Sequence, residues 1–418
     1  MTLIPVKTLT FKEVVRLLRD LAPEEPRVVV SGNSANPVML IDALRAARSR
    51  CRVFQLNAHD GFSASPAFVT ETPFVGPGTR HDPMLDYLPM RLSLVPRLFS
   101  TVRPVDAVLV HTSMPRGDKV SLGIEVNILP AAIEQVRARG GLVIAQMNAR
   151  MPYTFGDGEI PLECIDGALE VDTPLMSPVV EPATEAARLI GKRVARFAED
   201  GTTLQLGIGE IPTVAASMMS DLRDLRVWSE MISDGVLTLH RAGALDPDRP
   251  VTSSFLIGSR ELYDWADRND GLQMRRTETV NDPSRIAAQN AVLSVNAAMQ
   301  VDLFAQANAS YVNKRIHSGF GGQPDFVTGS LHSTGGHAVV ALHAWHQKTE
   351  TSTVVPILDN PVTSFQHSAI VSEYGCAELF GRSQHAQAEL IINEVADPRA
   401  RPELMAAAGR LGLRRDSE

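Results

Sequence analysis

Strand-length apolar runs alternate with helix-length amphipathic ones along this chain, in two series separated by a proline-rich break. This alternation is the tightest constraint on the fold. Strands flanked by helices reach their sheet partners by crossing over, which builds mainly parallel sheets under helical layers. In the first series Arg27–Ser31, Cys51–Leu56, Ala107–His111 and Gly141–Met147 read as strands, and Phe11–Leu21, Val38–Arg48 and Pro130–Ala138 as helices. Residues 60–100, rich in Gly and Pro, read as irregular. In the second series Ala183–Glu199, Thr213–Ser220 and Ser233–Ala242 are expected helices, the last closed by Gly243. Expected strands are Thr203–Leu206, Arg226–Trp228, Val251–Ile257, Val292–Asn296, Gln300–Leu303, Ala338–His343, Val354–Leu358 and Ala369–Ser372. Asp172–Pro182 has three prolines in eleven residues and is the expected linker between domains 1–180 and 181–418. A chain of 418 residues exceeds one ordinary core, so two domains are the default, open to being two versions of one α/β plan.

Composition narrows the function. A net charge of −8 opposes general nucleic-acid binding, which needs concentrated positive charge. It leaves room for an anionic ligand held by backbone N–H groups and a few cations. No apolar run approaches the roughly 18 residues of a membrane span, and the N-terminus has no apolar core of signal-peptide length. Cys51, Cys164 and Cys376 are far apart, as expected of buried thiols in a reducing cytosol. The expectation is a cytoplasmic protein without membrane contact. The eleven histidines show no spacing of a known metal site, and no metal is expected.

Two glycine clusters and one carboxylate carry the chemistry. Gly207-Ile208-Gly209-Glu210-Ile211-Pro212 follows a strand and opens a helix. Its glycines leave no Cβ to keep a ligand away, and the free N–H groups of the helix start favour negative charge. Loops of this kind bind ligands beyond the carboxyl ends of strands in open α/β sheets. The loop matches neither a dinucleotide fingerprint nor a Walker A loop, and a tight structural turn explains it equally well. Glu230 comes one strand later, where a carboxylate can project into a crevice; a solvated surface Glu is the plain alternative. Asp234, its nearest acidic rival, reads as a first-turn helix residue. Ser318-Gly-Phe-Gly-Gly-Gln323 places three glycines in four residues, able to hold an oxyanion or to serve as a plain loop. Asn281-Asp282-Pro283 is a turn signal, and Asn296 and Gln300 flank a break between strands.

Taken together these motifs resemble the acetyl-CoA hydrolase/transferase family of class I CoA-transferases, and most of all its 4-hydroxybutyrate CoA-transferase branch. The similarity runs through AQMNARMPYTFGD (145–157), LQLGIGEIP (204–212), SEMISDGVL (229–237), VNDP (280–283), VNAAMQVDLFAQANAS (295–310), SGFGGQPDFVTGS (318–330) and SEYGCAELFGRS (372–383). It implies two open α/β domains of the ribose-phosphate-isomerase-like type, with Glu230 as nucleophile and Asn281 placing the carbonyl beside it. It carries CoA contacts onto Gly207, Ile208, Gly209, Glu210 and Ile211, onto Gly321 and Gly322, and onto Gln300. CoA and acyl-CoA are then substrates, exchanged with a small carboxylic acid, and no cofactor is permanently bound. A homo-oligomer, dimer or tetramer, is implied.

The chain departs from the family at several positions. Thr328, Thr353, Ser364 and Gln387 stand where the resemblance expects arginines, and Ala305 stands where it expects glycine. Arginine is the natural fork for a carboxylate, so these losses bear on the acid substrate. Transfer of CoA to a free acid is the leading expectation. Acyl-CoA hydrolysis is the second, and a non-catalytic acyl-CoA-binding protein the third.

Overall fold

The valine-rich run Arg27–Val30 (β1) is buried along nearly its whole length, as a strand must be when helices cover both faces of its sheet. It lies within a fully parallel sheet of seven strands. The others are Cys51–Phe54 (β2), Phe68–Thr72 (β3), Leu85–Tyr87 (β4), Ala107–Thr112 (β5), Leu142–Asn148 (β6) and Gly167–Val171 (β7). Their order is β7-β6-β5-β1-β2-β3-β4. The chain leaves β1 for β2 on one side, yet β5 returns on the other, so the strand order reverses at the carboxyl end of β1. This computed structural model describes residues 6–59, 67–178, 182–207, 209–362, 364 and 366–414.

Helix Phe11–Arg19 (α1) starts with a capping box, in which Thr10 and Glu13 satisfy each other's free backbone N–H groups. With Val38–Ala47 (α2) it buries Val14, Leu18, Leu40, Ile41 and Leu44 in a core shared with Val28, Val30, Val53 and Leu109. Leu129–Ala138 (α3) packs on β5 and β6. Cys51 is buried, whereas Cys164 and Cys376 are only half-buried, less than expected for three core thiols.

The residues divide into two units. The first comprises Met1–Val179, Pro250–Asn281 and His317–Gly321; the second comprises Val180–Arg249, Asp282–Ile316 and Gly322–Glu418. The chain therefore passes between units not only near residue 180 but also at 249/250, 281/282, 316/317 and 321/322. Pairing explains one return: Val251–Leu256 runs parallel to Leu272–Met274, which pairs in turn with Phe155–Gly156. Local periodicity carries no record of such distant partners.

In the second unit the strands Thr203–Leu206 (β8), Arg226–Ile232 (β9), Val292–Ala297 (β10), His337–Ala341 (β11), Ala369–Val371 (β12) and Cys376–Glu378 (β13) follow the order β9-β8-β10-β11-β12-β13. All are parallel except β13, which runs antiparallel to β12. Here the order reverses at the carboxyl end of β8. Alternate residues point to opposite faces, and each face has its own core. Leu204, Leu293, Val295 and Val339 pack with Ile190 and Val194 of Glu185–Ala195 (α4), with Ala215 of Glu210–Met218 (α5) and with Leu239 of Asp234–Arg241 (α6). Val340 and Ile370 pack with Ile391, Ile392, Val395 and Leu404. Among the described residues no helix is long and apolar enough to cross a membrane.

Candidate active site

The loop after β8 opens at the reversal point of the second sheet. Gly209 adopts φ +108°, a conformation that L side chains rarely enter, and a Cβ built there would meet no atom within 4 Å. It serves as N-cap of α5, which begins at Glu210, three residues earlier than periodicity suggested. Gly209 brings no side chain to cap that end, so the first N–H groups of the helix face the loop. Gly207 is half-buried and Ile208 lies outside the described residues.

Glu210 is engaged within the protein itself. Its carboxylate accepts from the Thr184 backbone N–H (3.1 Å) and hydroxyl (3.3 Å), and it meets His343 Nε2 at 3.0 Å. This clamp ties the start of α5 to the N-cap of α4 and to the chain just after β11. Neither Thr184 nor His343 had a sequence signal for it. Ile211 follows, half-buried, in the first turn.

Glu230 sits inside β9, which runs on through Ile232 instead of stopping at Trp228. The strand's burial alternates: Val227, Ser229 and Met231 are buried, and Trp228 and Glu230 are half-buried. Val227, Ser229 and Met231 line a small cavity with Leu204, Leu206, Pro212, Val236 and Leu239. Ser229 hydroxyl donates to the Met231 carbonyl at 2.6 Å. Glu230 therefore projects from the other face. The register pairs Thr203 with Arg226 and Gln205 with Ser294, which puts Gln205 and Ser294 on the same face as Glu230. That face is polar: Ser294 donates to Gln205 Oε1 at 2.6 Å, and Asn296 Nδ2 donates to Ser294 Oγ at 2.9 Å.

Gly322 is the N-cap of Gln323–His332 (α7), which packs on β10 and β11. The glycine cluster is thus a helix start and not a free hairpin. Gln323, its first residue, is buried, and its side-chain Nε2 finds no hydrogen-bond partner among the described residues. A buried amide donor without a partner calls for an explanation, and sequence reasoning passed over it. Gln300 begins a short strand, Gln300–Asp302, and its Oε1 accepts from Asn308 Nδ2 at 3.5 Å. It stands in a separate three-stranded ladder.

Gly321 and Asn281 belong to the first unit. Gly321, at φ +50°, fits closely beside the Phe74 ring, and its carbonyl accepts from Leu92 N–H at 3.0 Å. Asn281 is fully buried between two short helices, as C-cap of Thr277–Val280, with Asp282 capping Pro283–Ala287.

Comparison with known proteins gives the family and the fold. Residues 258–408 fit the model of the acetyl-CoA hydrolase/transferase C-terminal domain. The chain is 35% identical to the 4-hydroxybutyrate coenzyme A transferase of Clostridium kluyveri, covering 79% of this chain and 80% of that one. The chain belongs to the acetyl-CoA hydrolase/transferase family. The structure of RipA from Yersinia pestis superposes with a TM-score of 0.88 at 26% identity, covering 97% of this chain and 98% of that one. That of a 4-hydroxybutyrate CoA-transferase from Porphyromonas gingivalis gives 0.81 at 27%, with the same coverage. The fold is thus the α/β CoA-transferase type expected from the sequence.

The side chains at the positions where the resemblance expects arginine are engaged locally or exposed. Thr328 hydroxyl donates to the Pro324 carbonyl (2.7 Å), and Thr353 hydroxyl to the His343 carbonyl (2.6 Å). Gln387 Nε2 donates to the carbonyls of Leu379 (3.1 Å) and Arg382 (3.2 Å), and Ser364 is exposed. None of these side chains can supply a cationic fork. Ala305 keeps φ +59° in place of the expected glycine.

Proposed function

We propose that this protein is a CoA-transferase that moves CoA between a short-chain acyl-CoA and a free carboxylic acid through Glu230. The observation that carries the reading is the placement of Glu230. It projects from the polar face of the sheet, on the strand beside the one whose carboxyl end opens into the bare Gly207–Gly209 loop. The Glu230 carboxylate attacks the thioester carbonyl; the C–S bond breaks, giving an acyl-glutamyl anhydride and CoA thiolate. The thiolate then attacks the glutamyl carbonyl, which releases the first acid as its carboxylate and leaves glutamyl-CoA thioester. A second carboxylate runs these steps in reverse and departs as the new acyl-CoA.

Covalent catalysis of this kind divides one difficult exchange into easier steps and keeps the free energy of the thioester. Negative charge growing on the carbonyl oxygen needs fixed donors, each typically worth about 10²–10³ in rate. Within the second unit, the Nε2 of Gln323 and the first N–H groups of α5 are suited to such a task. CoA enters as a substrate, without a resident cofactor. A cytoplasmic homo-oligomer belongs to the same reading.

One observation favours a second outcome, hydrolysis. The four positions expected to carry arginine offer hydroxyls and an amide, so a carboxylate acceptor finds no bidentate partner at them, and water can take the glutamyl thioester instead. Intact-mass analysis after incubation with acetyl-CoA, with and without acetate or 4-hydroxybutyrate, separates the two. A CoA-sized adduct with acyl exchange is the expected result; thiol release without exchange identifies a hydrolase. No adduct on wild-type protein, or an adduct retained by Glu230→Gln, would refute the nucleophile.

A further inference from the structure

The second unit holds a cavity at the opposite end of its sheet from the Gly207–Ile211 loop. Its volume is about 720 Å³, and Thr202, Ala291 and His337 line it where β8, β10 and β11 begin. Five charged side chains border this cavity, the exposed Glu199 just after α4 among them. Arg193 and Arg196 come from the last turn of α4 and its C-cap, Glu378 from β13, and Glu394 from the segment Ile391–Val395. Arg193 is oriented by the carbonyls of Tyr374 (3.0 Å) and Leu189 (3.2 Å). Among the described residues none of the five enters an ion pair, although Arg193, Arg196, Glu378 and Glu394 all act electrostatically on the Cys376 sulfur. Burial pushes that thiol up to about 11, so it adds no charge of its own near neutral pH.

Two features show that the arrangement is built. Glu394 rides on a π-helical turn, a rare form that is frequent at functional sites. Gly375 makes room for it: a Cβ there would lie 2.6 Å from the Glu394 carbonyl oxygen and 3.0 Å from its Oε2. The Phe197 and His337 rings, 5.1 Å apart, add an aromatic patch to the lining. Opposite charges that border one cavity without neutralising each other are matched by a molecule bearing both signs. A single anion would be repelled by the glutamates, and a single cation by the arginines.

We propose that this cavity binds a small zwitterion, an amino carboxylate between a single amino acid and a dipeptide in size. Its carboxylate lies on Arg193 and Arg196, its ammonium on Glu378 and Glu394, and its apolar stem against Phe197 and His337. The site stands at the amino ends of the strands, away from Glu230, and does not depend on the reaction assigned to that residue. Titration calorimetry on the full chain tests it with 6-aminohexanoate and glycyl-phenylalanine against hexanoate and hexylamine. At least one zwitterion is expected to bind about tenfold or more tightly than either singly charged probe. Arg196→Ala and Glu394→Gln should each weaken that binding about tenfold, and Glu230→Gln should leave it unchanged. Both substituted positions are exposed, so an unchanged thermal midpoint is expected and confirms folding. Equal binding of the singly charged probes, binding that survives both substitutions, or no heat from either zwitterion up to about 10 mM would overturn the proposal.

Discussion

The two units reverse strand order in the same way, but they treat the loop at the reversal differently. After β1, the segment Ser31–Pro37 is closed by its own polar groups. A Cβ on Gly32 would lie 2.1 Å from the Leu56 carbonyl oxygen, and Asn33 holds φ +47° while its amide donates to both oxygens of Glu125 (3.0 and 2.8 Å). Gln146 Oε1 accepts from Met39 N–H at 3.0 Å, closing the start of α2. His111 is buried beneath, with Asn148 Nδ2 and Gln146 Nε2 within 3.1 and 3.3 Å of its Nε2. After β8, Gly209 has empty space around it and α5 starts without a side-chain cap. One plan therefore yields a polar core in the first unit and an accessible helix start in the second. What separates them is whether side chains complete the backbone groups at the reversal or leave the helix start uncapped.

Four measurements break or sharpen that contrast. The largest effect is expected at the open loop's neighbour: Glu230→Ala should lower acyl exchange by about 10⁴-fold or more, with urea unfolding unchanged. Next, Gly32→Ala should cost about 2–3 kcal/mol of stability, because backbone on both sides of the intruding Cβ must move. Gly209→Ala meets no clash but enters an essentially glycine-only conformation, so it should cost about 1–2 kcal/mol of backbone strain and should lower activity more than stability. Equal stability losses for the two glycines, followed by urea denaturation, would erase the distinction between closed and open loops.

The third measurement uses pH. Burial holds the His111 imidazole down at about 4, against the ordinary 6.5, so the folded protein keeps it neutral. As pH falls below 6.5 the unfolded chain takes up a proton that the folded chain refuses until about 4. Stability should therefore fall on acidification, by about 1.4 kcal/mol per pH unit for this group, and not above pH 7. Denaturant midpoints for wild type and His111→Gln between pH 8 and 5 should show a shallower slope in the variant. The smallest effect is expected at Ala305, held in the left-handed region at φ +59°. Ala305→Gly should stabilise by about 0.5–1 kcal/mol as strain is relieved, read as a rise in thermal midpoint.

Much of the local structure around Glu230 in the second unit was legible beforehand. Gly207 and Gly209 ahead of Pro212 announce a strand–loop–helix, and the strand–carboxylate order of Arg226–Glu230 places Glu230 toward the carboxyl end of a strand. The end of β9 was misjudged because Ser229 and Glu230 interrupt its apolar run, while its ladder and the Ser229 hydroxyl bond keep the backbone extended. The Glu210–His343 contact joins residues 133 positions apart, and no spacing rule could reveal it. The free amide of Gln323 is invisible for the same reason: burial without a partner is a property of surroundings.

The alternation of apolar runs and the turn-forming glycines determined the α/β layers, the probable strands and the position of Glu230, because these follow from local periodicity and local backbone freedom. Tertiary structure alone decided that residues 250–281 return to the first unit, that one reversal loop is sealed and the other bare, and that Arg193, Arg196, Glu378 and Glu394 border one cavity. Those outcomes depend on pairing and burial between residues far apart in the chain. Such energies arise only once the sheets have assembled.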